Sequence, residues 1–150
     1  MKKFTSSLTL ILLLPAFLWA AKLTVTTNAI VGSVTIGATS NLTLSNPTKV
    51  GQELTVNGNF SNGGTFLATG TTVTLGGTNQ TLSGDFTFNN LIKQVNTADV
   101  LTFEAGKTIL VDGTITLAGA SWQLLSLRSS NTGSQWMIEM DAAKGNFSFN

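Results

Sequence analysis

The fold is decided most clearly by residues 101–127, which read LTFEAGKTILVDGTITLAGASWQLLSL. From Ile109 to Leu117 the odd-numbered positions are aliphatic or glycine, and the even-numbered ones are polar (Asp112, Thr114 and Thr116) with Leu110 as the exception. Successive side chains of a β-strand point to opposite faces, so this period of two predicts strands with an aliphatic face inside and a threonine face in water. The same parity continues across the turns on both sides.

The rest of the chain after residue 21 varies this pattern in short β-prone runs separated by Gly, Asn and Ser. Breaks such as Asn62-Gly63-Gly64 supply the residues that turns with positive φ require. No ten-residue window in this part has the apolar spacing of an amphipathic helix. The sequence therefore predicts an all-β fold.

Two all-β architectures fit these runs. An antiparallel β-sandwich would use Asn57-Gly58 and Asp112-Gly113 as two-residue hairpin turns. A parallel β-solenoid would use the same pairs as corners of rungs that stack in register. The run LTVNGNF at 54–60 returns as ILVDGTI at 109–115, a spacing of 55 residues that two or three rungs would span. This internal repeat favours the β-solenoid.

The N-terminus has the composition of a secretory signal peptide. Lys2 and Lys3 precede a short apolar run that ends at Ala20 and Ala21. A charged start, an apolar middle and small residues at the end are typical of a cleaved signal, and the run is too short to span a bilayer comfortably. We therefore expect residues 1–21 to be removed on export, with cleavage after one of the two alanines and no membrane span in what remains.

Residues 22–150 are then expected to form one β-solenoid segment. The alternating run that starts at Asn146 is still in progress at Asn150. A solenoid with a bare last rung exposes apolar surface and unpaired strand edges. We therefore expect a segment that is incomplete at its C-terminus and associates end to end with other copies.

Charged residues are scarce, at 10% of the chain against about 25% in ordinary globular proteins. Residues 22–150 carry six basic and seven acidic residues, a net charge of −1, which excludes the basic surface that nucleic-acid binding requires. Threonine, which occurs 24 times, must cover much of the surface instead. The chain has no cysteine, so its stability must come from stacking and backbone hydrogen bonds, not from disulfides.

Catalytic chemistry has few side chains to use. The chain has no histidine, cysteine or tyrosine, which removes thiol nucleophiles, histidine bases and the commonest transition-metal ligands. An enzyme would have to stack carboxylates from Asp85, Asp99, Glu104 and Asp112 on one face, as polysaccharide-degrading β-helices do. We interpret these four as solvated turn residues, and expect no enzyme activity, no cofactor and no metal site.

The candidate ligand-binding residues are Trp122, Arg128 and Trp136, because tryptophan rings stack on sugars and the arginine lies between them in sequence. The favoured interpretation of both tryptophans is nevertheless packing in the core or at the edge of a rung. An interior aromatic stack is expected from the phenylalanines at 60, 66, 86, 88 and 103.

Three Thr-x-Thr pairs, at 24–26, 72–74 and 114–116, each place two hydroxyls on one strand face. Aligned on one flat face, they would form a hydroxyl array of the kind that ice-binding solenoids use. Scattered placement would remove this hypothesis, since threonine is also the best polar residue for an outward strand face.

The sequence from Gly63 to Trp136 resembles the Thr/Gly/Asn-rich β-helix repeats of large bacterial secreted and cell-surface proteins, which are adhesin-like. The motifs are at 63–66, 86–91, 101–106, 125–130 and 133–136. This resemblance implies a right-handed parallel β-helix displayed outside the cell. We therefore expect an exported, non-enzymatic structural or adhesive β-solenoid that meets surface glycans or other cell-surface proteins. The alternatives are a polysaccharide-active β-helix enzyme and an ice-binding solenoid.

Overall fold

The structure is a computed structural model, and it describes residues 10–12, 22–25, 27–45, 51–140 and 146–149. The secondary structure of these residues is strand, bridge, turn and bend, without helix. Every pairing between two of the strands is parallel. The all-β parallel solenoid is therefore confirmed, and the antiparallel sandwich is wrong. The expected cleavage bond after Ala20 or Ala21 lies outside the described residues.

The described strands are, in chain order, β1 (Leu10–Leu12), β2 (Lys22–Val25), β3 (Ala29–Val31), β4 (Val34–Ile36), β5 (Asn41–Leu44), β6 (Gln52–Val56), β7 (Phe60–Asn62), β8 (Thr65–Ala68), β9 (Thr71–Leu75), β10 (Gln80–Ser83), β11 (Phe86–Phe88), β12 (Asn90–Gln94), β13 (Asp99–Phe103), β14 (Thr108–Val111), β15 (Thr114–Ala118), β16 (Leu125–Ser129), β17 (Met137–Met140) and β18 (Asn146–Phe149).

Every three consecutive strands form one rung. Strands at equivalent positions in successive rungs stack, and this stacking gives the solenoid three faces. Face 1 is one ladder of β1, β4, β7, β10, β13 and β16, and face 3 is one ladder of β3, β6, β9, β12, β15 and β18. Face 2 consists of two ladders, β2-β5-β8 and β11-β14-β17, because β8 and β11 are not hydrogen-bonded to each other. Two faces are thus continuous along the described rungs, and one is interrupted.

The core lies inside the three faces and follows the predicted parity. The residues at 101, 103, 109, 111, 115 and 117 are all buried, while Leu110 faces outward and is only partly covered. Four phenylalanines meet across the break in face 2, where the Phe66 ring of β8 lies 5.9 Å from Phe86 and 5.3 Å from Phe88 of β11. The expected interior aromatic stack is confirmed for the phenylalanines at 60, 66, 86 and 88, whereas Phe103 stacks on Trp136 instead. Burial of each such ring stabilises the fold by about 2 to 3 kcal/mol.

The Asn-Gly and Asp-Gly pairs are corners and not hairpin turns. Asp112-Gly113 joins β14 on face 2 to β15 on face 3, and the Gly113 N–H donates to the Asn89 carbonyl of the previous rung at 2.8 Å. A Cβ added at Gly113 would lie 2.7 Å from that carbonyl oxygen. Glycine is needed here because the backbones of successive corners approach too closely for a side chain.

The internal repeat that favoured the solenoid does not mark equivalent positions. Residues 54–60 run from β6 on face 3 around a corner, whereas 109–115 begin in β14 on face 2. The rungs also differ in length, because Val73 pairs with Leu91, 18 residues further on, and Ile115 pairs with Phe147, 32 residues further on. The interpretation of the spacing as whole rungs was wrong, and the two runs share only a strand followed by a tight corner.

Side chains near the corners extend the hydrogen bonding between rungs. The carboxamide oxygens of Asn59 and Asn90 accept from the backbone N–H groups of Thr81 and Thr114, both at 2.9 Å. Each bond joins residues more than twenty positions apart. The asparagines therefore satisfy backbone donors where the regular ladder ends.

One carboxylate expected in water is instead inside the core. Asp99 Oδ2 lies 2.8 Å from Lys93 Nζ, and the two side chains are 1% and 0% exposed. Asp99 Oδ1 accepts from the backbone N–H groups of Asn79 and Val100. Lys93 also donates to Gln80 Oε1, at 3.0 Å, and to the backbone carbonyl of Gly77. The interpretation of Asp99 as a solvated turn residue was therefore wrong.

Removal of one partner should show how strongly the fold depends on this ion pair. We expect Asp99→Ala to lower the free energy of unfolding by about 3 kcal/mol, because a buried cation is left without its counterion. The double variant Lys93→Met with Asp99→Leu should recover part of that loss. Urea denaturation measures both, and a single variant within 1 kcal/mol of the parent would contradict the expectation.

Acid should weaken the fold through the same carboxylate. Burial alone would raise the pKa of Asp99, but hydrogen bonds from Asn79, Lys93 and Val100 outweigh it and lower that pKa. The stability this group contributes is therefore present above its unfolded pKa of about 3.9 and is lost as pH falls through the lower folded value. Urea titrations at several acidic pH values should show a steeper loss in the parent than in Asp99→Asn. Equal slopes would contradict this assignment.

Candidate binding surface

Trp122 is the most exposed large apolar side chain of the described residues, with 95% of its surface in contact with water. It lies in the turn between β15 and β16, where Ala120 and Gln123 exchange two backbone hydrogen bonds of 2.9 Å around Ser121 and Trp122. Gln123 also fixes the turn to the previous rung, since its Oε1 accepts from the Ala98 N–H at 2.7 Å. The indole is therefore presented on an anchored turn.

The backbone of Trp122 is strained. Its φ is 62°, in the left-handed region where a turn position normally takes glycine. For a bulky residue this conformation costs on the order of 1 kcal/mol, and full exposure gives the indole no burial to offset it. Packing within the protein therefore does not account for this conformation.

An apolar recess adjoins the Trp122 turn. Its volume is about 200 Å³, and its walls include Leu117, Leu125 and Leu127 together with Leu124, which is 74% exposed. The loop of the previous rung that hydrogen-bonds to the turn presents the exposed, uncharged side chains of Asn96 and Thr97. The surface around the turn thus combines an aromatic face, an apolar recess and neutral hydrogen-bonding groups.

The other two sequence candidates have different surroundings. Arg128 is in the middle of β16, paired with Thr102 on face 1, and is exposed. Trp136 comes just before β17, and its ring stacks on the buried Phe103 with centroids 3.9 Å apart. The expectation of core packing is therefore right for Trp136 and wrong for Trp122. In this stretch the odd-numbered residues face inward. The even residue number of Trp122 could therefore have indicated that its side chain faces outward.

Two carboxylates share an open groove on face 2. The groove has a volume of about 340 Å³, lies where β8 and β11 are unpaired, and is lined by residues including Asp85 and Glu139. Glu139 lies on β17 and was not among the four carboxylates considered from the sequence. In the described residues, this groove brings the side chains of Asp85 and Glu139 to a common concave surface.

Asp85 already has partners of its own in this groove. Its Oδ1 accepts from the Thr108 N–H at 2.9 Å, and its Oδ2 lies 3.4 Å from Lys107 Nζ. The hydrogen bond from Thr108, together with the Lys107 charge, outweighs partial burial and lowers the pKa of Asp85. The carboxylate is therefore ionised near neutral pH and ties β11 to β14.

The threonine pairs divide between faces. Thr72 and Thr74 on β9, and Thr114 and Thr116 on β15, all face outward on face 3. Thr24 is on β2 and belongs to face 2, and its neighbour at 26 lies outside the described residues. Two of the three pairs are thus aligned on one face, and the hypothesis of a single array of all three is wrong.

Comparisons with protein-family models, with curated proteins and with solved structures gave no match. In the described ranges, no helix is long and apolar enough to cross a membrane, and no three acidic residues are grouped so that they could hold a metal ion. Among the residues that the structure describes, this parallel β-solenoid has one strained, exposed aromatic residue, Trp122.

The strain at Trp122 can be measured with two variants that both remove the indole. We expect Trp122→Gly to be more stable than Trp122→Ala by about 1 kcal/mol, because glycine adopts positive φ without steric cost. Elsewhere in a strand or helix alanine is the more stable of the two. Urea denaturation compares them, and an alanine variant at least as stable as the glycine variant would contradict the backbone assignment.

Proposed function

We propose that this chain is an exported, non-enzymatic β-solenoid of the bacterial cell surface with a structural or adhesive role, and that its Trp122 turn contacts a glycan. The observation that carries the proposal is the fully exposed indole held at φ 62° on an anchored turn. A side chain that is strained and unburied does not stabilise its own fold, so its use lies in contact with something else.

The scaffold suits a stalk or a display surface. Backbone hydrogen-bond ladders and an apolar interior stabilise the fold, so outward side chains can vary without loss of structure. Repeats of this kind form elongated surfaces along which a polymer can be contacted at several rungs. Export is supported by the signal-like composition of residues 1–21, and surface display by the resemblance to adhesin-like repeats.

A glycan fits the chemistry around the turn. The face of an indole stacks on the apolar face of a sugar ring, and its N–H remains free to donate a hydrogen bond. Asn96, Thr97 and Gln123 supply neutral donors and acceptors for sugar hydroxyls nearby. The groups named here carry no charge, which favours a neutral saccharide over an ionic ligand.

The main alternative, a polysaccharide-active enzyme, has its best support in the groove on face 2. Glycoside hydrolysis needs one carboxyl group whose pKa is raised so that it can protonate the leaving group. Asp85 has the opposite shift, with its pKa lowered by Thr108 and Lys107, and both its oxygens already have partners. Binding without bond cleavage is therefore the better-supported proposal.

Glycan binding by the full chain tests the proposal directly. On a panel of immobilised bacterial and host polysaccharides, we expect binding to at least one neutral glycan. It should weaken at least about tenfold in Trp122→Gly, because a tryptophan that becomes buried against a partner commonly dominates the binding free energy. Met137→Ala is the matched control, since Met137 is 54% exposed on β17 and lies outside the turn. It should bind like the parent.

Two results would overturn this function. Undiminished glycan binding by a folded Trp122→Gly variant would remove the turn from the contact. Release of shortened saccharides from any polysaccharide in the panel, lost on substitution of Asp85 or Glu139, would establish the enzyme instead.

A further inference from the structure

Face 3 carries two straight columns of outward side chains. Column A consists of Glu53, Thr72, Asn90 and Thr114, and column B of Thr55, Thr74, Ile92 and Thr116, from β6, β9, β12 and β15 respectively. Ile30 on β3 precedes Thr55 in column B. Five of the eight positions from β6 to β15 are therefore threonine.

The columns have a regular two-dimensional spacing. Neighbouring strands of a sheet lie about 4.8 Å apart, and alternate residues of a parallel strand about 6.6 Å apart. The ladder of face 3 runs without a break from β3 to β18, so the spacing is kept over successive rungs. Face 2 lacks this continuity because β8 and β11 are unpaired.

Hydrogen bonds between side chains fix the orientation of three outward groups in column A of face 3. Asn90 Oδ1 accepts from the Thr114 hydroxyl at 2.9 Å, and Asn90 Nδ2 donates to Thr72 Oγ1 at 3.3 Å. Threonine is also stiff at χ1, since it is β-branched. A ligand that meets these groups therefore costs little side-chain entropy in binding.

The face is also almost uncharged. Glu53 is the one ionisable residue among the outward positions of the described strands of face 3, and its Oε1 accepts from the Thr74 hydroxyl at 3.0 Å. Each threonine offers a hydroxyl beside a methyl group, so the surface alternates hydrogen-bonding and apolar points. Such a surface does not select an ionic partner.

We propose that face 3 binds the surface of ice. A crystal plane of ice is a neutral partner that repeats in two dimensions, with oxygen spacings of the same order as the intervals between positions along and across columns A and B. Fixed hydroxyls hold water molecules in place, and the methyl groups between them exclude disordered water. Many weak contacts at matching intervals then add up to firm attachment. This activity uses a different surface from the Trp122 turn and goes beyond the proposed glycan binding.

The test is growth of a single ice crystal in a solution of the full chain, cooled slowly below its melting point. We expect the parent protein to halt growth over a measurable temperature interval and to shape the crystal. The double variant Thr74→Lys with Thr116→Lys should lose at least nine tenths of that interval, because two lysines in column B disrupt the array.

The matched control is Thr43→Lys with Thr87→Lys, which adds the same charge at outward positions of β5 and β11 on face 2. It should keep the activity of the parent, and so should Trp122→Gly. Circular dichroism verifies that each variant is folded.

Three outcomes would overturn the proposal. The first is unhindered ice growth in the parent protein, and the second is equal loss of activity in the face 2 and face 3 variants. The third is binding to microcrystalline cellulose or chitin that depends on column B while ice growth is unaffected, which would assign the face to a crystalline polysaccharide. None of these results depends on whether the Trp122 turn binds a glycan.

Discussion

The parallel hydrogen-bonded ladder between rungs is the interaction on which the rest of this structure depends. It fixes which residues stack, so the inward positions form columns that are mostly Leu, Val, Ile and Phe, and the outward positions form columns that are mostly polar and rich in Thr. Where the regular ladder ends at a corner, side chains such as those of Asn59 and Asn90 continue it. With few charges and no disulfides, this continuity is what allows short strands of three to five residues to form one domain.

Alternation in the sequence predicted the core well, because a strand allows each side chain only two directions. The same alternation also indicated that both members of the buried ion pair face inward. Lys93 has the parity of Leu91, and Asp99 that of Leu101 and Phe103. Asp99 was expected outside because burial of a lone charge is costly. That cost is reduced when the opposite charge is buried beside it. The sequence alone does not show which two charged side chains will pair in the core.

Features that depend on the path between strands could not be predicted in this way. Rung length is set by corners of unequal size, so the resemblance between 54–60 and 109–115 did not correspond to a whole number of rungs. The exposure of Trp122 depends on one φ angle in a four-residue turn, and its parity was only a weak indication. The break between β8 and β11 has no counterpart in the local sequence, since both strands alternate like their neighbours.

That break makes the solenoid mechanically uneven. A pull along the axis is shared by three ladders at most steps, and hydrogen bonds loaded together resist better than the same bonds loaded singly. Between β8 and β11 the load falls on two ladders and on the contact of the Phe66 ring with Phe86 and Phe88. Under tension along the axis, the described rungs would therefore separate first at that step.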